Sequence, residues 1–557
     1  HTFFAAKIGV LRQLAPWLGR FLPKNIRSSS ATMAVSDVAQ SPSAEQVPAP
    51  QQRKKLLGRE FYESIGSPKY IVAPMVDRSE FAWRMLTRSF MPPDEQKSLL
   101  AYSPMFHARL FGEQARVRTQ YFQPTREGKK DALFLDGNPA FDRPLFVQFC
   151  ANDPTEFLEA AQHVAPYCDA VDLNLGCPQG IAKRGHYGAF LQEDWDLIYK
   201  LINRLHNDLS VPITAKFRIQ ETKEKTLEYA QMILSAGANI ISVHGRRREQ
   251  KGHNTGVADW SYVRYLRDNL PPETVIFANG NILNYEDLER CLEETGADGI
   301  MSAEGNLSDP TIFSKPPPIG SEGREYWRGR DGKGGYRIDA IIRRYFDIIY
   351  KYVLEQPVPE RKPLYLPSDP VGEQEEFKGL EEEEEEPEGP PRKKQKKDKA
   401  KRPNSPSLGV MQGHLFQVLR PMVATHTNVR DALARSRPGD MAAFEHVLSL
   451  IERAVKSGLK EYDACPEKFE QKPDESLTGS KATIAEYGRP WWICQPHIRL
   501  LPEEAMEIGA LKEKRKAGPD TEKKDSTQEH TPSATETPDG TPANTSATLT
   551  PDALVSG

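Results

Sequence analysis

No run of apolar residues in this chain reaches the roughly 20 positions that a membrane-spanning helix needs, so no membrane partner is expected. Cysteine is scarce, six in 557 residues, and no two stand in a C-x-x-C spacing. That argues against a disulfide framework and a zinc site, and for a reducing, intracellular compartment. No metal ligands stand out. A surplus of one charge is also missing. The formal net charge is -4, but the charge is spread so unevenly that this figure excludes no partner. No strand-like run leads into a G-x-G-x-x-G turn, which disfavours an open, doubly wound dinucleotide-binding sheet. The opening residue is His1 rather than Met, and residues 1–35 hold no acidic side chain. Arg12, Arg20 and Arg27 among apolar neighbours, then three serines, resemble a transit segment. The other reading is initiation at Met33, with the preceding residues incidental.

The chain does hold 45 prolines and 38% apolar residues, a globular core diluted by polar segments. Its length predicts roughly two to four domains. Residues 1–54 are a disordered or transit-like extension, with Pro, Ser and Gln linker composition at 37–52. Eight short apolar runs follow, near 70–73, 99–102, 145–149, 170–174, 213–216, 240–245, 275–280 and 299–302. Helical periodicity separates most of them, as at 153–164, 195–207, 226–236, 259–269 and 285–294, with Ser79 as an N-cap before another helix to Arg88. The segment 106–136 reads as an irregular excursion with one short helix. Continuous apolar strands alternating with helices mean a parallel sheet, and eight units of this size match a (β/α)8 TIM barrel over 66–320.

A small all-α helical domain over 335–460 is expected next, from apolar spacing at 337–354, 414–422, 428–436 and 441–456. A disordered charged insertion at about 368–405 interrupts it, with six glutamates at 381–386 and a basic run at 392–397. That run is read as an import signal, a nucleic-acid contact or a solvated spacer. Residues 461–510 form a segment packing on the core. Its Trp491-Trp492 pair either stacks a base or packs the tail. Residues 511–557 are a disordered tail.

In a barrel of this kind the active site lies at the C-terminal strand ends. There the sequence places Pro74, Met75 and Val76, then Gln148, Asn174 with Cys177, Lys216 with Arg218, and His244 with Arg246. The last two ends bring Asn279-Gly280-Asn281 and Ala303-Glu304-Gly305. Glycine-containing turns after strands seven and eight suit a phosphate-bearing cofactor. Met75 is placed to pack on a flat ring, with Gln148 and Lys216 at its polar edge. Lys216 also admits two other readings, a lysine paired with a carboxylate or a Schiff-base former. Cys177, glycine-bounded at a strand end, is either an acid or nucleophile or a buried structural thiol.

The set Ala73-Pro74-Met75, Val147-Gln148-Phe149, Asn174-Leu175-Gly176-Cys177-Pro178, Lys216-Phe217-Arg218, His244-Gly245-Arg246 and Asn279-Gly280-Asn281 resembles the tRNA-dihydrouridine synthases over about 66–459. The stretches 177–188, 302–306 and 488–492 resemble the eukaryotic subfamily acting on positions sixteen and seventeen of the D loop. The resemblance implies FMN across the barrel mouth, reduced by NADPH or NADH, and tRNA as partner. It implies hydride delivery to C6 of uracil and a proton from Cys177 to C5. Asn174, Lys183, Arg218 and Arg246 fall on the substrate side, and Pro74, Met75, Val76, Gln148, Lys216, His244, Asn279, Gly280, Asn281, Ala303, Glu304 and Gly305 on the cofactor. One departure stands out: many members carry Arg-Gly after strand eight, where this chain has Glu304-Gly305. Backbone amides are therefore expected to carry more of the phosphate binding. A monomer in cytoplasm or nucleus is expected, or in mitochondria if the N-terminal residues are a transit peptide. The competing classes are a small-molecule FMN barrel of the dihydroorotate dehydrogenase type and a non-catalytic RNA-binding barrel.

Overall fold

The computed structural model describes residues 55–370, 405–470, 476–499 and 503–504. The N-terminal extension, most of the charged insertion and the C-terminal tail lie outside the described residues. Eight strands form the centre: β1 (Tyr70–Val72), β2 (Leu99–Tyr102), β3 (Leu145–Cys150), β4 (Ala170–Leu175), β5 (Ile213–Arg218), β6 (Ile240–His244), β7 (Val275–Asn279) and β8 (Gly299–Ser302). All pair in parallel with their sequence neighbours, and β1 pairs with β8 at Ile71↔Met301, closing the ring. Every residue of β2 to β8 is buried. Barrel strands are covered inside by one another and outside by helices, which is why they read as unbroken apolar runs.

Gln148, Asn279 and Ser302 are single exceptions to that apolarity, and the others fall two apart, at Asp172 and Asn174, at Thr214, Lys216 and Arg218, and at Ser242 and His244. Period two puts each group on one strand face. Tyr102 Oη on β2 lies 3.3 Å from Ser242 Oγ on β6, across the ring, so that face is the barrel interior.

Helices α1 (Phe81–Ser89), α2 (Pro154–Val164), α3 (Trp195–Asp208), α4 (Lys223–Ser235), α5 (Ser261–Asn269) and α6 (Glu286–Thr295) alternate with the strands. In α3, Asp194 caps the N-terminus by accepting from Leu197 N, and Ile198, Leu201, Ile202 and Leu205 form the buried stripe. Each such side chain contributes roughly 1.5–3 kcal/mol of burial, before entropy. The cap expected at Ser79 is not formed. Ser79 Oγ instead accepts from Met75 N at 3.0 Å, closing the turn after β1, and Glu80 stands before α1 without a side-chain cap. The 106–136 excursion holds two short helices, Ala108–Glu113 and Ala115–Tyr121, and a hairpin of Thr125–Arg126 with Lys129–Leu133. Arg84 ties this excursion to α1 through Asp136 and Asp142, at 2.8 and 2.5 Å.

After β8 come α7 (Glu304–Ser308), a hairpin of Tyr326–Arg328 with Gly334–Tyr336, and α8 (Ile338–Ile348), which ends in a π-turn at Ile349–Val353. Then α9 (Pro406–Val418), α10 (Thr427–Arg435) and α11 (Met441–Ala464) complete the helical region. Its core is continuous with that of the barrel. Trp83 of α1 stacks on His414 of α9 with ring centroids 4.0 Å apart, and Glu80 meets His414 Nε2 at 3.0 Å. The apolar core thus carries a polar pin between the two parts.

Candidate active site

Strand β4 delivers the central stretch. Asp172 accepts from Gln148 Nε2 at 2.8 Å and from Thr214 Oγ1 at 2.6 Å. Gln148 Oε1 accepts from Asn174 Nδ2 at 2.8 Å. Asn174 Oδ1 then accepts from the N–H groups of Gly176 and Cys177, at 3.0 and 2.9 Å. A buried carboxylate therefore fixes one amide, that amide fixes a second, and the second holds the Cys177 loop. Such relays order each member because every donor faces an acceptor. Gly188 supports the loop from behind. Its φ is +63°, and a Cβ there would meet Cys177 O at 2.8 Å. Ala189 N donates to Cys177 O at 3.1 Å.

Cys177 is half-buried. Burial pushes its thiol above the ordinary range, only partly offset by a backbone hydrogen bond at Gln179 and by the cations Arg218, Lys216 and Lys251. A thiol of about 8.5 in water is thus held protonated at neutral pH, as an acid must be.

A wall of cations stands beside it on β5 and β6. Burial, with Arg218 nearby, pulls Lys216 down to about 8. Asp172 and Cys177 only partly offset this pull. Arg218 donates to Gly176 O at 2.8 Å and to the carbonyls of Arg247 and Gln250 at 3.2 Å, which fastens two loops. His244 is held well below its usual range by burial and by Arg218, Arg246 and Lys216. A guanidinium only donates, so His244 Nε2, 3.0 Å from Arg246, accepts and the ring proton sits on Nδ1. That Nδ1 is buried without a hydrogen-bond partner among the described residues, as is Asn279 Oδ1. Arg246 also donates to Asn281 Oδ1 at 2.7 Å and Gly256 O at 2.9 Å. Gly280 has φ +109°, and a Cβ there would press Ala258 at 2.7 Å. His244 and Asn279 on the wall of one narrow cleft, with the Lys216 ammonium near His244 and Cys177, fit a planar polar group bearing an anion.

The strand-end residues named from sequence are therefore gathered on one face, with differences of use. Pro74 and Met75 are buried at the end of β1, and Val76 is exposed beside them. Arg246, expected on the substrate side, lines the same cleft as Asn279, Gly280, Asn281, Ala303 and Glu304. Gly305 is packed against Ile282 O, where a Cβ would lie at 2.2 Å. Arg218 is a loop fastener as much as a cleft wall. Lys183 is exposed on the helix Gly180–Gly185 and lines a separate cavity of about 530 Å³ with Phe190, Glu193, Arg248, Glu249 and Lys251. Lys251 Nζ donates to Pro178 O at 2.6 Å, so that cavity adjoins the Cys177 loop.

Two contributors were not singled out as site residues from sequence. Asp172 was visible as the first polar residue in an alternating strand. The second is Arg499, whose guanidinium contacts the Glu304 carboxylate from the far end of the chain. No local pattern marks it.

The model of the family described as Dihydrouridine synthase (Dus) matches residues 71–322. A Schizosaccharomyces pombe protein named tRNA-dihydrouridine(16/17) synthase (NAD(P)+) is 42% identical over 450 residues, covering 80% of this chain and 92% of that protein. Its Saccharomyces cerevisiae namesake is 41% identical over 449 residues, covering 80% and 87%. A human protein named tRNA-dihydrouridine(20a/20b) synthase (NAD(P)+)-like is 30% identical over 267 residues, covering 47% and 76%.

Proposed function

The chain belongs to the dihydrouridine synthase family, and from that premise we propose that it reduces the C5–C6 double bond of uridine at positions 16 and 17 of tRNA, with NAD(P)H as electron source. The observation that carries this reading is the relay from Asp172 through Gln148 and Asn174 to the loop of Cys177, beside a cationic cleft. Saturating a C=C bond adds a hydride at one carbon and a proton at the other. FMN is the cofactor these strand ends suit, and when bound and reduced it supplies the hydride that C6 takes.

The chain's own residues do the rest. Cys177 gives its proton to C5, the S–H bond breaking as C–H forms, and the thiolate is reprotonated from solvent. Asn174 keeps the thiol in place and presents an amide toward the uracil carbonyls. Lys216 would offer its charge to the electron-rich edge of the flavin. Pro74, Met75 and Val76 would be the residues of the β1 end that hold its ring. His244, Asn279, Gly280, Asn281 and the turn 303–305 would hold its polar groups and phosphate. Lys183, exposed near the Cys177 loop, would meet an RNA strand that enters there. The target base must leave its stack to reach the cleft, which calls for a grip on RNA outside the barrel. The helical region supplies surface for it. The scarce cysteines without paired spacing and the charge-segregated insertion support work in cytoplasm or nucleus.

The test is a reductase assay on undermodified tRNA with NADPH or NADH, reading dihydrouridine formed. Cys177→Ala is expected to lose roughly 10²- to 10⁴-fold in rate while keeping its flavin absorbance. Dihydrouridine formed at the unmutated rate would remove the acid role.

A further inference from the structure

Residues 490–499 run from the helical region to the barrel mouth. Trp492 is fully buried against Trp327, Tyr462 and Phe469. Its carbonyl accepts from Ile338 N at 3.0 Å, and Cys494 N donates to Tyr336 O at 2.9 Å. The Cys494 thiol donates to Ser308 O at 3.0 Å, pinning the strap to the end of α7. Gln495 Nε2 donates to the carbonyls of Arg489, Pro490 and Ile493 and locks the turn. Three anchors therefore fix where the next residues go.

They go to Glu304. His497 Nε2 lies 3.6 Å from its carboxylate, and Arg499 is in direct ion-pair contact with it. Glu304 lines the cleft with Arg246, Asn279, Gly280, Asn281 and Ala303. A carboxylate at that position repels a phosphate unless a cation covers it. Arg499 does cover it, and lies close enough to Arg246 and His244 to disfavour their charged forms. Burial, then Arg499 and Arg218, pull Arg246 down to about 9. Two guanidinium groups at one end of a buried cleft are costly, and the single Glu304 carboxylate balances one of them.

Resting on the flavin reading above, we propose that Arg499, carried in by the C-terminal strap and oriented by Glu304, is a phosphate-binding residue of the cofactor site, acting together with Arg246. The carboxylate after β8 is covered by a cation from the other end of the sequence. The strap is then part of the cofactor site rather than a packing accessory, and cofactor retention depends on it.

The test uses the full chain stripped of flavin, titrated by fluorescence with FMN and with riboflavin, which has the same ring and no phosphate. The unmutated protein binds FMN more tightly than riboflavin. Arg499→Gln weakens FMN by about tenfold or more, the equivalent of a lost charge-assisted hydrogen bond, and leaves riboflavin unchanged. Arg499→Lys recovers part of the loss. An unchanged FMN affinity in Arg499→Gln overturns the proposal. So does an equal loss for both ligands, which marks a structural role. An unmutated protein that binds neither ligand overturns the flavin reading itself, and the proposal with it.

Discussion

Lys216 titrates at about 8 because its ammonium is buried and Arg218 stands nearby, while Asp172 and Cys177 only partly offset them. The ligand-free protein therefore loses this charge as the pH climbs past about 8. The electron-rich carbonyl edge of the oxidised ring favours the charged lysine, so binding takes up a proton. The sign follows: flavin affinity is level below about pH 8 and falls above it, by up to tenfold per pH unit, until the bound-state pKa is reached. Fluorescence titration between about pH 7 and 10 reads this directly. Lys216→Met is expected to bind more weakly at pH 7 and to lose the fall that begins near pH 8. A profile identical to the unmutated one would remove Lys216 from the flavin edge.

At the scale of elements, the strap 490–499 and the strand β4 do opposite kinds of work. Strand β4 carries its function locally, since Asp172 and Asn174 face the barrel interior by period two and the loop follows at once. The strap works at a distance, through the seat of Trp492 between the hairpin Tyr326–Arg328 and α11. Trp492→Ala leaves a large cavity in that seat and should cost about 3–5 kcal/mol of stability, measured by urea unfolding. It should also loosen FMN binding more than riboflavin binding, because the strap no longer delivers Arg499. A loss of stability with the FMN preference intact would separate the packing of the strap from the cofactor site.

For the whole molecule, barrel and helical region share one core. Filter binding of tRNA should weaken steeply with salt, as phosphate contacts release counterions. Lys183, exposed beside the Cys177 loop, is expected to contribute one such contact. Lys183→Ala should lower affinity for any tRNA by a similar factor and flatten the salt slope by about one. An unchanged slope would take Lys183 off the RNA path.

All eight barrel strands were legible in the sequence, because a strand buried on both faces is apolar over most of its length. Their polar strand-end residues were legible too, because barrel topology sends every C-terminal end to one mouth. Runs such as 145–150 and 170–175 leave little else to infer. The hairpin Tyr326–Arg328 with Gly334–Tyr336 was not legible, since its short glycine-rich strands carry no alternation. Ser79 looked like a cap by residue type, yet its oxygen was taken by Met75 N. The sequence by itself determined which groups reach the mouth and that Cys177 stands among them. The tertiary structure decided what each is bonded to: Arg218 to loop carbonyls, Asn174 to the thiol's own backbone, and Glu304 to an arginine from the end of the chain. Periodicity fixes the face on which a side chain lies, whereas its partner is set by distances between segments far apart in sequence, and these exist only once the chain has packed.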